Sequence, residues 1–132
     1  ANDLGNLAQR ILTMVWRNCD SKIPKVTQLR DNDKLLLESI PNLYEKLEDL
    51  MKNYQISIYI SSIFEVISLT NKYISNEKPW ELNINNQPRM KTVLWVACEM
   101  LRNITILLQP ILVSSSSDLL DVLGILEKKK IF

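Results

Sequence analysis

Histidine is absent from this sequence of 132 residues. That removes the commonest general base, the Ser-His-Asp and Cys-His constellations, and every His-containing zinc site. Glycine occurs only twice, and no Gly-rich loop is present to cradle a phosphate. Cysteine also occurs twice, as Cys19 and Cys98, without C-x-x-C spacing and each among apolar residues on a helical pattern. Both read as reduced structural cysteines. No run approaches ~18 apolar residues without a charge, and the opening ANDLGNLAQR has neither the basic nor the apolar region of a signal peptide. These two features predict a cytoplasmic protein with no membrane partner. Neither charge sign dominates: sixteen Lys plus Arg against fifteen Asp plus Glu leave +1, too balanced for a nonspecific polyanion-binding tail. A local basic face remains compatible with that balance. The absence of an initiator Met, at a start inside a helical pattern, predicts a fragment of something longer.

What is present is apolar residue at helical spacing. With 46% hydrophobic residues, the chain has enough material for one core, and the whole of 1–132 reads as a single domain with residues 125–132 as a frayed tail. No stretch sustains strand alternation between Gly-rich turns, so the fold class is all-α, a helical bundle of about four main helices plus a short C-terminal helix. The first helix is expected over about Asp3 to Asn18, with Leu4, Leu7, Ala8, Ile11, Met14 and Val15 as its core stripe. The second covers about Asp33 to Asn53, capped by Asp31 or Asp33, with a kink or broken turn near Ile40 because Pro41 removes a helical bond. The third runs from about Ile56 to Ile74. A loop from Ser75 to Gln87 carries Pro79 and Trp80, and Pro88 takes the first position of a central, very apolar helix over about Arg89 to Leu108. Pro110 is expected to end it, Ser114 to Ser117 to cap a short helix over Asp118 to Leu123, and Gly124 to close that helix.

Charge is unevenly placed. Residues 1–30 sum to +3, residues 31–65 to −4 and residues 66–132 to +2. The first helix and the segment after the third are therefore the candidates for facing an anion.

Two constellations could carry recognition. Asn6 and Arg10 lie one turn apart on the first helix, roughly 6 Å along its axis, and share a narrow polar sector with Thr13 and Arg17. An arginine fork beside an amide supplies donors and an acceptor in one direction, which suits the edge of an unpaired base. A merely solvated helix face would look the same. Trp80 follows a stiffening proline just after a helix, where its ring can either stack a splayed-out base or fold back over the bundle end.

Four segments in register, NDLGNLAQR (Asn2 to Arg10), NKYISNEKPW (Asn71 to Trp80), LRNITILLQPIL (Leu101 to Leu112) and LLDVLG (Leu119 to Gly124), resemble the anticodon-binding domain of methionyl-tRNA synthetase. The resemblance implies a bundle that reads the CAU anticodon of methionine tRNA. Asn6 and Arg10 match positions that hydrogen-bond anticodon bases, and Trp80 a position that stacks the first of them. Asn71 and Tyr73 also match, in a supporting role. The chain departs from the pattern at Ser75, where an acidic residue is frequent, and at Leu112-Val113, where a Met-Pro pair is usual.

The resemblance also implies that catalysis lies elsewhere. ATP and methionine would bind a catalytic domain of the same parent chain, so no catalytic residue, metal or cofactor is expected in these 132 residues, and no DNA partner. Two rivals stand beside this reading: the anticodon domain of a neighbouring class I synthetase, and a protein-interaction bundle using Arg10 and Trp80 as interface anchors.

Overall fold

The computed structural model describes residues 3–19, 26 and 28–123, with side chains placed for 4–19, 26 and 28–109. Helices α1 (Asp3–Asn18), α2 (Asp31–Lys52), α3 (Ile56–Glu77), α4 (Pro79–Asn85) and α5 (Gln87–Leu123) follow one another, and no strand occurs among the described residues. The fold is all-α. Helix α5 packs against each of the other four and so forms the centre of the bundle.

The core follows the apolar periodicity. Leu7, Ile11 and Val15 of α1 face inward, as do Leu36, Ile40, Leu43 and Leu47 of α2, both sets spaced three or four residues apart. They meet Ile63, Ile67 and Ile74 of α3 and Met90, Val93, Leu94, Ala97, Met100 and Ile104 of α5. Hydroxyls caught in this core are satisfied locally: Thr70 donates to the Val66 carbonyl and Ser62 to the Ile58 carbonyl, each at 2.8 Å, one turn back along α3. Tyr59 spans the bundle and donates to the Leu107 carbonyl of α5 at 2.8 Å.

Several boundaries differ from expectation. Neither Asp31 nor Asp33 caps α2: Asp31 opens the helix, Arg30 flanks it, and Asp33 sits at the third helical position, where its carboxylate accepts the Arg30 N–H at 2.9 Å. Helix α2 continues without a break through Pro41. A proline removes one bond of the ladder, and buried Ile40 and Leu43 hold the turns on either side of it.

The expected loop from Ser75 to Gln87 is mostly helix. Helix α3 continues to Glu77, Lys78 turns the chain in the left-handed region (φ 50°), and Pro79 starts the seven-residue α4. The preset φ of proline and its missing N–H suit that first position. Asn86 then flanks α5, with Oδ1 accepting the Arg89 N–H at 3.2 Å. Pro88 accordingly takes the second helical position, one later than expected.

Helix α5 also runs unbroken past Pro110 to Leu123, in place of a helix ending at Pro110 and a separate short one. Its turns before Pro110 are anchored in the core by Ile104 and Leu107, and one lost bond does not end a helix so anchored. The serines Ser114 to Ser117 are thus helix interior rather than cap. Gly124 and the tail 125–132 lie outside the described residues.

Candidate functional site

Helix α1 and the start of α4 come together at one end of the bundle. The left-handed turn at Lys78 aims the chain so that Trp80, at the second position of α4, meets the polar face of α1. The Arg10 guanidinium carbon lies 5.3 Å from the centroid of the Trp80 ring. This cation–π distance is worth about 0.5–1 kcal/mol at an exposed site. Arg10 Nη2 also points to Ser75 Oγ on α3, at 3.4 Å, the long limit for such a bond.

Around this pair opens a depression of about 360 Å³, lined by Asn6, Gln9, Arg10, Thr13, Met14 and Trp80. Trp80 is 45% exposed, so it neither folds away under the bundle end nor stands free of it. Asn6, Gln9 and Thr13 are exposed and Arg10 is half-buried. A half-exposed aromatic ring, a guanidinium, two amides and a hydroxyl on one concave surface complement a planar ligand with polar edges.

The structure brings together Asn6, Arg10, Thr13 and Trp80. It separates Arg17, which is exposed in the last turn of α1, about 10 Å along the axis from Arg10. Asn71 is half-buried on α3 and does not line the depression.

Tyr73 serves a different place. It is buried, and its hydroxyl donates to Asp33 Oδ1 at 2.6 Å. Asp33 in turn receives Arg89 Nη1 on Oδ2 at 2.5 Å and Nη2 on Oδ1 at 2.8 Å. Arg89 Nη2 also reaches Glu77 Oε1 at 2.6 Å, and Asn32 Nδ2 donates to the same oxygen. Glu77 is the last residue of α3, immediately before the turn that delivers Trp80. The network therefore ties the starts of α2 and α5 to the segment carrying the tryptophan.

Burial by itself pushes the Asp33 carboxyl up. The bonds from Arg89 and Tyr73 and the Arg30 N–H outweigh that and hold it below its ordinary 3.8. Burial and the Asp33 carboxylate push the Tyr73 phenol well above its ordinary value. The bond to Asp33 likewise holds the Arg89 guanidinium charged, against the opposing effect of burial.

Sequence reasoning missed Gln9, Met14 and Arg89. Gln9 carried the helical-face signal that exposed Asn6 and Thr13, whereas Met14 read as core stripe and lies at the edge between the two faces. Arg89 carried none, because its partner Asp33 is 56 residues away. Elsewhere, burial and then the neighbouring Cys19 and Glu99 push the Cys98 thiol up to about 11, keeping it protonated at neutral pH. Among the described residues, no group of three or more Cys, Asp and Glu is placed to hold a metal ion, and no helix is long and apolar enough to cross a membrane.

The family described as the anticodon-binding domain of tRNA ligase matches residues 33–131. The chain is 36% identical over 132 residues to the methionine–tRNA ligase of Brucella suis, covering all of this chain and 26% of that protein. With the methionine–tRNA ligase of Rhizobium meliloti it shares 37% identity over 125 residues, which is 95% of this chain and 24% of the relative. The solved structure of free methionyl-tRNA synthetase from Mycobacterium tuberculosis superimposes with a TM-score of 0.81 at 35% identity, over 94% of this chain and 26% of that one. The chain thus spans about a quarter of the length of these relatives, and the matches to the relatives include α1, which precedes the family match.

Proposed function

The chain belongs to the anticodon-binding domain family of the tRNA ligases, and from that premise we propose that it reads the CAU anticodon loop of methionine tRNA as part of a methionine–tRNA ligase. The observation that carries this reading is the pairing of Arg10 with Trp80 across the α1–α4 depression, with the Asn6 amide on the same surface. Trp80 offers a π-face on which the first anticodon base stacks, and Arg10 and Asn6 hydrogen-bond base edges. Thr13 lies within reach of the same bases. Arg17, further along α1, meets the phosphate backbone, and Tyr73 acts at a distance by holding the segment that carries Trp80. Asn71 has a supporting place on the same helix.

In this reading the bundle contributes specificity by binding and performs no chemistry of its own. ATP and methionine bind a catalytic domain of the parent chain, which works in the cytoplasm and meets neither DNA nor membrane. Methionine specificity, rather than that of a neighbouring synthetase, is supported by relatives of 36% and 37% identity that are methionine–tRNA ligases.

Titration of the chain with a CAU hairpin at rising salt tests the class of partner. For a nucleic-acid reader the logarithm of affinity falls linearly with log salt. Affinity indifferent to salt would instead identify an apolar docking face and remove this reading.

A further inference from the structure

We propose that Gln9 is a further base-reading residue of the same site and recognises the middle adenine of the loop, an inference that rests on the anticodon reading above. Gln9 stands three residues after Asn6 and four before Thr13, and the three line one strip of the depression. Arg10 is partly committed within the protein, to the Trp80 ring and to Ser75. The Gln9 side chain is exposed and makes no hydrogen bond with any described residue. Its amide is therefore uncommitted within the described protein, on the lining of the depression.

That amide is specific. A primary amide holds a donor N–H and an acceptor carbonyl side by side in one plane. On its Hoogsteen edge adenine presents a complementary amino donor (N6) beside a ring-nitrogen acceptor (N7), whereas guanine presents two acceptors (O6 and N7) there. Two amides one turn apart, Asn6 and Gln9, can address two neighbouring unpaired bases, with Trp80 stacking on one of them.

The test uses the 132-residue chain, its Gln9→Met variant and three RNA hairpins with the loops CAU, GAU and CGU. Met matches Gln in length and helix propensity and removes both hydrogen-bonding groups. The parent is expected to prefer CAU over CGU, and Gln9→Met to lower that preference by about threefold to tenfold while keeping the preference for CAU over GAU. Gln9→Met with the parental CAU-to-CGU ratio overturns the inference, and so does an equal loss on all three loops. If the parent does not distinguish the loops, and Arg10→Ala and Trp80→Ala bind as it does, the anticodon reading has failed and this inference falls with it. Loss with Arg10→Ala or Trp80→Ala, but not with Gln9→Met, overturns only the role of Gln9.

Discussion

Arg89 forks onto Asp33, Nη1 to Oδ2 at 2.5 Å and Nη2 to Oδ1 at 2.8 Å, with both side chains almost wholly removed from solvent. This joins the first turns of α2 and α5, and the Arg89 to Glu77 bond extends the joint to the end of α3. A buried pair of this kind contributes little over a well-packed apolar substitute, yet breaking it strands a charge. Asp33→Leu or Arg89→Met alone should therefore lower the unfolding free energy by about 3–5 kcal/mol, as measured by urea titration. The double variant should lose less than the sum of the two. Additive losses would show that the two side chains are not coupled.

The same pair sets a pH dependence. The Asp33 carboxyl in the fold lies below its ordinary 3.8, so the folded state binds fewer protons than the unfolded chain in that range. Its contribution to stability is fully present above the ordinary value and is lost as pH falls through the lower folded one. Thermal melts from pH 6 down to pH 2 should show a fall in Tm below about pH 4. The fall should be shallower in the double variant Asp33→Leu/Arg89→Met. Equal slopes in the two proteins would place the acid sensitivity elsewhere.

The turn between α2 and α3 carries avoidable strain. Tyr54 is 86% exposed at φ 56°, the Tyr54 N–H bonds the Met51 carbonyl at 3.1 Å, and the Gln55 N–H bonds the Leu50 carbonyl at 2.8 Å. This is the Schellman arrangement that glycine favours at the left-handed position. Tyr54→Gly should raise the unfolding free energy by about 0.5–1 kcal/mol. A drop measured by denaturant titration would mean that the tyrosine side chain contributes more than its backbone costs.

Trp80 separates binding from folding. Its ring is 45% exposed and packs on Arg10 at the rim of the depression. Trp80→Ala should weaken binding of a CAU hairpin by about 1–3 kcal/mol while Tm falls only slightly. Collapse of thermal stability in that variant would make Trp80 a core residue.

Much of this was legible in the sequence because amphipathic periodicity is a local signal. The stripe from Leu4 to Val15 marked α1, and the density of apolar residues from Met90 to Leu108 marked the central helix. Prolines misled in both directions. Pro41 and Pro110 read as interruptions, yet the helices pass through them, while Pro79 read as loop and begins α4. A proline's meaning depends on whether its missing N–H falls in a first turn or in a ladder anchored elsewhere, and tertiary packing decides that. The Asp33–Arg89 pair was invisible because nothing local distinguishes a carboxylate that caps a helix from one that receives a distant guanidinium. Ser75 belongs to the same class: it stood out only as a departure from a pattern, and the structure puts its hydroxyl beside Arg10.

The central claim is that the α1–α4 depression reads an anticodon, and the most direct measurement is a low-salt titration with two hairpins, one carrying a CAU loop and one with its first loop base changed to G. Preference for CAU that Arg10→Ala or Trp80→Ala erases is the expected result. Equal affinity for both hairpins, unchanged by either substitution, would contradict the account.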